Sequence, residues 1–137
     1  MQDYFYMGDK VLVVEDYQPI AELYGEYLKE RGYESDLVFN LKDAKQLLEK
    51  KSLEYGFCLS DGDFPDEPHA PVETANFVKL YNLISKEYFH IKFRLQSNSD
   101  KNVLDGKEMG IEYCFSKNDL NTFNEAFPIK NKNHRNL

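Results

Sequence analysis

Asp61-Gly-Asp63-Phe-Pro65 follows directly on the apolar run Phe57-Cys-Leu-Ser60. A short apolar run closed by turn formers reads as a buried strand. Asp61 then stands at the strand's carboxyl end, the edge where open α/β sheets bind their ligands. Two other strand-like runs also end in charged groups. Lys10-Val-Leu-Val-Val14 runs into Glu15-Asp16, and the run from Ile111 to Phe115 ends at Ser116-Lys117. Three carboxylates brought together repel, and each raises its neighbours' pKa. A hard divalent cation with oxygen ligands and a nearby ammonium are the two things that hold such a cluster ionised. Mg²⁺ suits one or two carboxylates plus a phosphate oxygen, and Lys117 supplies the ammonium.

The elements that must position these groups alternate regularly. The β-branched run at 10–14 predicts a buried strand, and Pro19 suits the first turn of a helix carrying Ile20, Leu23, Tyr24, Tyr27 and Leu28 at helical spacing. Gly32 signals its end. A second strand is expected over Asp36–Phe39. It is followed by a helix capped by Asn40, with Ala44, Leu47 and Leu48 as its stripe. Gly56 reads as the break before the third strand, Phe57–Ser60. Pro65, Pro68 and Pro71 mark 61–71 as a loop. A helix with Phe77, Leu80, Tyr81 and Ile84 on one face follows, then a fourth strand over Ile91–Gln96, made more polar by Lys92 and Arg94. Asp100 opens a short helix ending near Gly110. A fifth strand carries Ile111, Tyr113 and Phe115, and Asn118-Asp119 opens a last helix that Pro128 ends. Five βα alternations imply an α/β fold: a flavodoxin-like, doubly wound, five-stranded parallel sheet of order 2-1-3-4-5 with helices on both faces. The expected division is an N-terminal extension at 1–9, one domain at 10–127 and a polar C-terminal tail at 128–137. Tyr4, Phe5 and Tyr6 allow either an arm or an added strand.

Composition narrows the function. The 137 residues suffice for one domain with a real core, and 42% hydrophobic content excludes a disordered chain. A net charge of −7 argues against a polyanion partner. Only Lys130–Arg135 is locally basic, and it reads as a solvated tail. Cys58 and Cys114 fall in expected strands and read as small buried apolar residues rather than a disulfide. No Cys/His spacing suggests zinc. No run approaches membrane-spanning length and no secretory leader is visible, so a cytoplasmic protein that binds neither nucleic acid nor membrane is expected.

Across about residues 10–127 the chain resembles the receiver domains of two-component response regulators. The resemblance rests on Glu15-Asp16 after VLVV, the D-x-x-x-P of Asp61 to Pro65, and Lys117 seven residues beyond Gly110. It implies that Asp61 is the nucleophile taking a phosphoryl group from phosphohistidine on a sensor histidine kinase or histidine phosphotransfer protein. It further implies Mg²⁺ held by Asp16, Asp61 and the backbone carbonyl of Asp63, with Glu15 binding through water. Lys117 would neutralise phosphoryl charge, and a downstream protein would read the signal. No enzyme activity is implied beyond self-catalysed phosphorylation and autodephosphorylation. Receivers place a hydroxyl at the end of strand four. Ser97 is the choice here, and a one-residue shift would put Gln96 there instead.

The chain also departs from the receiver pattern. Asn118 replaces the proline usual after the lysine, and Cys114 stands where a mobile Tyr or Phe is common. Tyr113 and Phe115 flank Cys114 but should point the other way. A pseudo-receiver that binds protein without switching is therefore the alternative. A third reading takes Asp61-Gly-Asp63 as the D-x-D of haloacid-dehalogenase-type phosphatases. Here that motif follows the third strand rather than the first, with little chain left for a substrate cap.

Overall fold

The computed structural model describes residues 8–130. Strand β1 (Lys10–Val14) pairs with both β2 (Ser35–Val38) and β3 (Tyr55–Asp61). Strand β3 pairs in turn with β6 (Lys92–Gln96), and β6 with β7 (Tyr113–Phe115). Every pairing is parallel and the order is β2-β1-β3-β6-β7, so the expected topology is present. Successive strand side chains point to opposite faces. Val11, Val13, Leu59 and Phe115 pack under α1 (Gln18–Glu30) and α5 (Leu120–Ala126) through Tyr24, Leu28 and Phe123. Leu12, Val14, Cys58, Leu95 and Cys114 lie in the other core layer. Leu48 of α2 (Leu41–Lys51), Leu80 of α3 (Phe77–Glu87) and Val103 of α4 (Asp100–Glu108) pack into that layer. Burial on both faces is why β1 and the middle of β3 read as unbroken apolar runs.

Local chemistry sets several helix ends. Asn40 Oδ1 accepts the Asp43 N–H at 2.8 Å, Ser99 Oγ the Asn102 N–H at 3.2 Å, and Asp119 Oδ1 the Thr122 N–H at 3.0 Å. Gly32 and Gly110, at φ +96° and +92°, take the left-handed conformation just beyond α1 and α4.

Several boundaries differ from the sequence expectation. The second strand lies one residue earlier, at 35–38, the fourth begins at Lys92, and the fifth is confined to 113–115. Gly56 lies inside β3 and does not break anything; a 3₁₀ turn at Ser52–Glu54 ends α2 instead. A Cβ at Gly56 would stand 2.9 Å from the Gly8 carbonyl oxygen, so the glycine permits a close backbone approach. The expected loop at 61–71 contains one arm of an antiparallel ribbon: β4 (Phe64–Pro65) pairs with β5 (Val72–Glu73). Phe64, fully buried, anchors that ribbon. The Lys42 N–H donates to the Asp66 carbonyl at 2.8 Å, and Lys79 Nζ lies 3.1 Å from Asp66 Oδ1.

Cys58 and Cys114 are free and buried. At the start of the expected tail, the Tyr33 hydroxyl donates to the Pro128 carbonyl at 2.6 Å and Lys130 Nζ lies 2.6 Å from Asp9 Oδ2. Tyr4, Phe5 and Tyr6, and the tail beyond residue 130, lie outside the described residues.

Candidate functional site

Parallel pairing of β1 with β3 aligns Val14 with Ser60, which brings Glu15, Asp16 and Asp61 to one sheet edge. One oxygen from each of the three carboxylates lies within 4.8 Å of the others. Strand β7 ends two residues before Lys117, whose Nζ lies 2.8 Å from Glu15 Oε1 and 3.4 Å from Asp61 Oδ2. Asp61 Oδ1 accepts the Gly62 N–H at 2.6 Å. An all-oxygen donor set of this kind fits a hard divalent cation. Asp16 is half-buried and gives the cluster its open side, while 8% of the Asp61 side chain reaches solvent.

Too much negative charge meets at this edge for one ammonium to balance. Burial, then the charge of Glu15, pushes the Asp61 carboxyl up to about 8 against the opposing pull of Lys117. Asp16 is raised for the same reasons in the same order. Burial works against the Lys117 ammonium, but its bond to Glu15 and the charges of Asp61 and Glu15 outweigh this and raise its pKa.

Gln96 and Ser97 approach this edge from opposite faces. Gln96 is fully buried on the α1 side. Its Nε2 donates to Glu15 Oε1 at 3.3 Å, and its Oε1 accepts the Tyr24 hydroxyl at 3.4 Å. Glu15 Oε2 accepts the Tyr17 N–H at 3.1 Å, so both Glu15 oxygens are held. Ser97 turns to the α4 side, where its Oγ accepts the Ser99 N–H at 3.0 Å and Asn102 Nδ2 at 3.2 Å. With both lone pairs taken, the hydroxyl proton is left to donate. The hydroxyl lies next to Gly62, where a Cβ would stand 2.9 Å from Ser97 Oγ.

The Asp63 side chain is drawn into the loop scaffold. Its Oδ1 accepts the Ala75 N–H at 2.6 Å and Asn102 Nδ2 at 3.0 Å. Ala75 sits at φ +56°, a left-handed position that L residues seldom occupy. Asn102 was not singled out in the sequence. Its only local signal is a position in the first turn of α4, which does not reveal what its side chain reaches.

Cys114 faces α4 with Sγ 2.9 Å from where a Cβ of Gly106 would be, whereas Tyr113 and Phe115 pack on the α1/α5 side. The α4–β7 contact is therefore closed around a small side chain. On the other side of the edge, a groove of about 400 Å³ opens beside Lys117, lined by Tyr17, Ile20, Leu23, Tyr24, Asn98 and Leu120. Among the described residues, no helix is long and apolar enough to cross a membrane.

No protein-family model and no curated protein matches this chain in sequence. Solved structures do match in fold. The beryllofluoride-activated NtrC4 receiver domain dimer is 22% identical at a TM-score of 0.67, over 86% of this chain and 95% of that one. A CheY-like response regulator receiver domain protein from Methanospirillum hungatei JF-1 is 16% identical at 0.66, over 88% and 94%. The beryllofluoride-activated N-terminal receiver domain of RstA from Klebsiella pneumoniae is 17% identical at 0.66, over 87% and 97%. The chain has the receiver fold.

Proposed function

We propose that this chain is a phosphoacceptor receiver of a two-component phosphorelay, with Asp61 as the residue phosphorylated. The observation that carries this reading is Lys117 Nζ lying within reach of both Glu15 and Asp61 at an edge shared with Asp16. The Asp61 carboxylate attacks the phosphorus of a phosphohistidine. An O–P bond forms, the N–P bond breaks, and the leaving imidazole nitrogen takes up a proton. Little covalent assistance is needed for such a transfer; positioning and charge neutralisation dominate. Lys117 supplies one positive charge, the Ser97 hydroxyl donates to a phosphoryl oxygen, and the Gly62 N–H orients the acceptor. Asp16, Asp61 and the Asp63 carbonyl, with Glu15 through water, would hold a Mg²⁺ ion, which would supply the remaining charge neutralisation. Gln96 and Tyr17 hold Glu15 in place for that role.

The groove beside Lys117 offers apolar contact to a kinase or phosphotransfer protein approaching Asp61. Tyr17, 61% exposed, stands at its rim. A downstream protein would read the phosphorylated form, in the cytoplasm where the donors reside. The tight Cys114–Gly106 contact favours one second reading, a receiver-fold module that binds protein without phosphorylation.

Incubation with acetyl phosphate and Mg²⁺ separates the two. The phosphoacceptor reading predicts a mass gain of one phosphoryl group, lost with EDTA and lost in Asp61→Asn. No gain in the wild-type chain selects the binding module.

A further inference from the structure

We propose that Asn102 is a positioning residue that couples the state of Asp61 to the β4–β5 ribbon. The inference rests on the phosphoacceptor reading. Asn102 is buried on α4, and its side-chain nitrogen spends both hydrogens on groups from different segments. One goes to Ser97 Oγ at 3.2 Å, the other to Asp63 Oδ1 at 3.0 Å. The same Asp63 oxygen accepts the Ala75 N–H, holding that residue at its left-handed φ. The next residue, Asn76, is also buried, and its Nδ2 donates to the Phe64 carbonyl at 2.9 Å and to Asp66 Oδ1 at 3.0 Å. A chain of polar contacts therefore runs from Ser97 through Asn102 and Asp63 to Ala75, and the backbone carries it on to Asn76, whose amide holds the Phe64 end of the ribbon.

Two further observations fix the direction of this coupling. Gly62, bonded to Asp61 Oδ1 through its N–H, lies directly beneath the Asn102 amide, with no room for a Cβ between them. Any shift of the Asp61–Gly62 peptide or of the Ser97 hydroxyl toward an added group therefore alters what Asn102 can hold. The alternative route through β7 is filled: Cys114 is packed against Gly106, and no large side chain is there to change position. When Ser97 turns to a phosphoryl oxygen, the Asn102–Asp63 bond is perturbed, and with it the clamp on Ala75. The ribbon, built on that strained residue, is the segment that responds. A backbone position held off its preferred conformation by one carboxylate is a natural low-stability unit.

Amide hydrogen exchange on the full chain, with and without saturating beryllofluoride and Mg²⁺, tests this. In the wild type, exchange across residues 72–76 and 99–105 is expected to change by about threefold or more when the anion binds. In Asn102→Ala, held at saturation, the change at 72–76 is expected to disappear while that at 99–105 persists. Asn102→Asp, which keeps the shape but turns the donating nitrogen into an acceptor oxygen and so loses both hydrogen bonds, gives the same loss and covers the case in which the alanine variant does not fold. The coupling is overturned if either folded variant transmits the full change to 72–76, or if the wild-type ribbon is unaffected while the anion binds. Absence of anion binding to the wild type removes the phosphoacceptor reading itself, and the coupling with it.

Discussion

Gly62 and Asn102 share a space that admits only one side chain. A Cβ at 62 would overlap the Asn102 amide nitrogen and press on Ser97 Oγ. Residue 62 is therefore a glycine for steric reasons rather than for backbone freedom. Gly62→Ala is expected to destabilise the fold by about 1–3 kcal/mol, the usual range for overpacking a closed site. It should also slow phosphoryl uptake by displacing the Ser97 hydroxyl. Thermal denaturation alongside the rate of acetyl phosphate labelling checks both; a variant as stable and as fast as wild type would show the contact to be soft.

The acid cluster makes stability depend on pH in a defined sense. Asp61 holds its proton up to about 8 in the fold, against about 4 in an unfolded chain. Between these values the folded form binds more protons than the unfolded one, so stability falls as pH rises across that window. Asp61→Asn removes the titration. It is expected to exceed wild type by on the order of 5 kcal/mol at pH 8 and to match it near pH 4. Millimolar Mg²⁺ should flatten the wild-type slope and leave the variant unchanged. Urea denaturation at pH 5 and pH 8, with Mg²⁺ or EDTA, measures the four combinations.

Cys114 tests whether the β7–α4 contact is as tight as it looks. Cys114→Phe forces a ring against Gly106 and Leu95 and is expected to lower stability by about 2 kcal/mol or more. Cys114→Ala removes only a buried sulfur and should cost about 1 kcal/mol. If the phenylalanine variant melts with wild type, the space is not closed.

Asp63→Asn isolates charge from geometry. The amide oxygen can still accept from Ala75 and Asn102, so the loop stays clamped while one negative charge leaves the edge. The lifetime of the aspartyl phosphate is expected to change measurably. Equal decay rates in the two proteins would show that the Asp63 carboxylate has no influence on hydrolysis.

What the sequence revealed and what it hid differ by the range of the contacts involved. Val11–Val14, the Asp61–Pro65 turn and the caps at Asn40 and Gly110 are local patterns, and the strand order follows from regular βα alternation. Gly56 was misread because its requirement comes from Gly8, across the chain. The β4–β5 ribbon was hidden because prolines spaced along a segment mark a loop without saying whether its ends pair. Gln96 and Ser97 could not be separated by sequence, since a one-residue shift exchanges the faces they reach. In the fold they lie on opposite sides of the edge, with Gln96 on Glu15, 81 positions away. The place of Asn102 in the first turn of α4 did not reveal its role, because that role lies in Ser97, Asp63 and Gly62.

The most direct test is chemical trapping. After acetyl phosphate labelling, borohydride converts an aspartyl phosphate to homoserine at the modified position, and peptide mass spectrometry locates it. Homoserine at 61 alone, dependent on Mg²⁺ and strongly reduced in Lys117→Met, is the predicted result. Reduction at another carboxylate, or none in a folded chain that binds Mg²⁺, would contradict the assignment of Asp61.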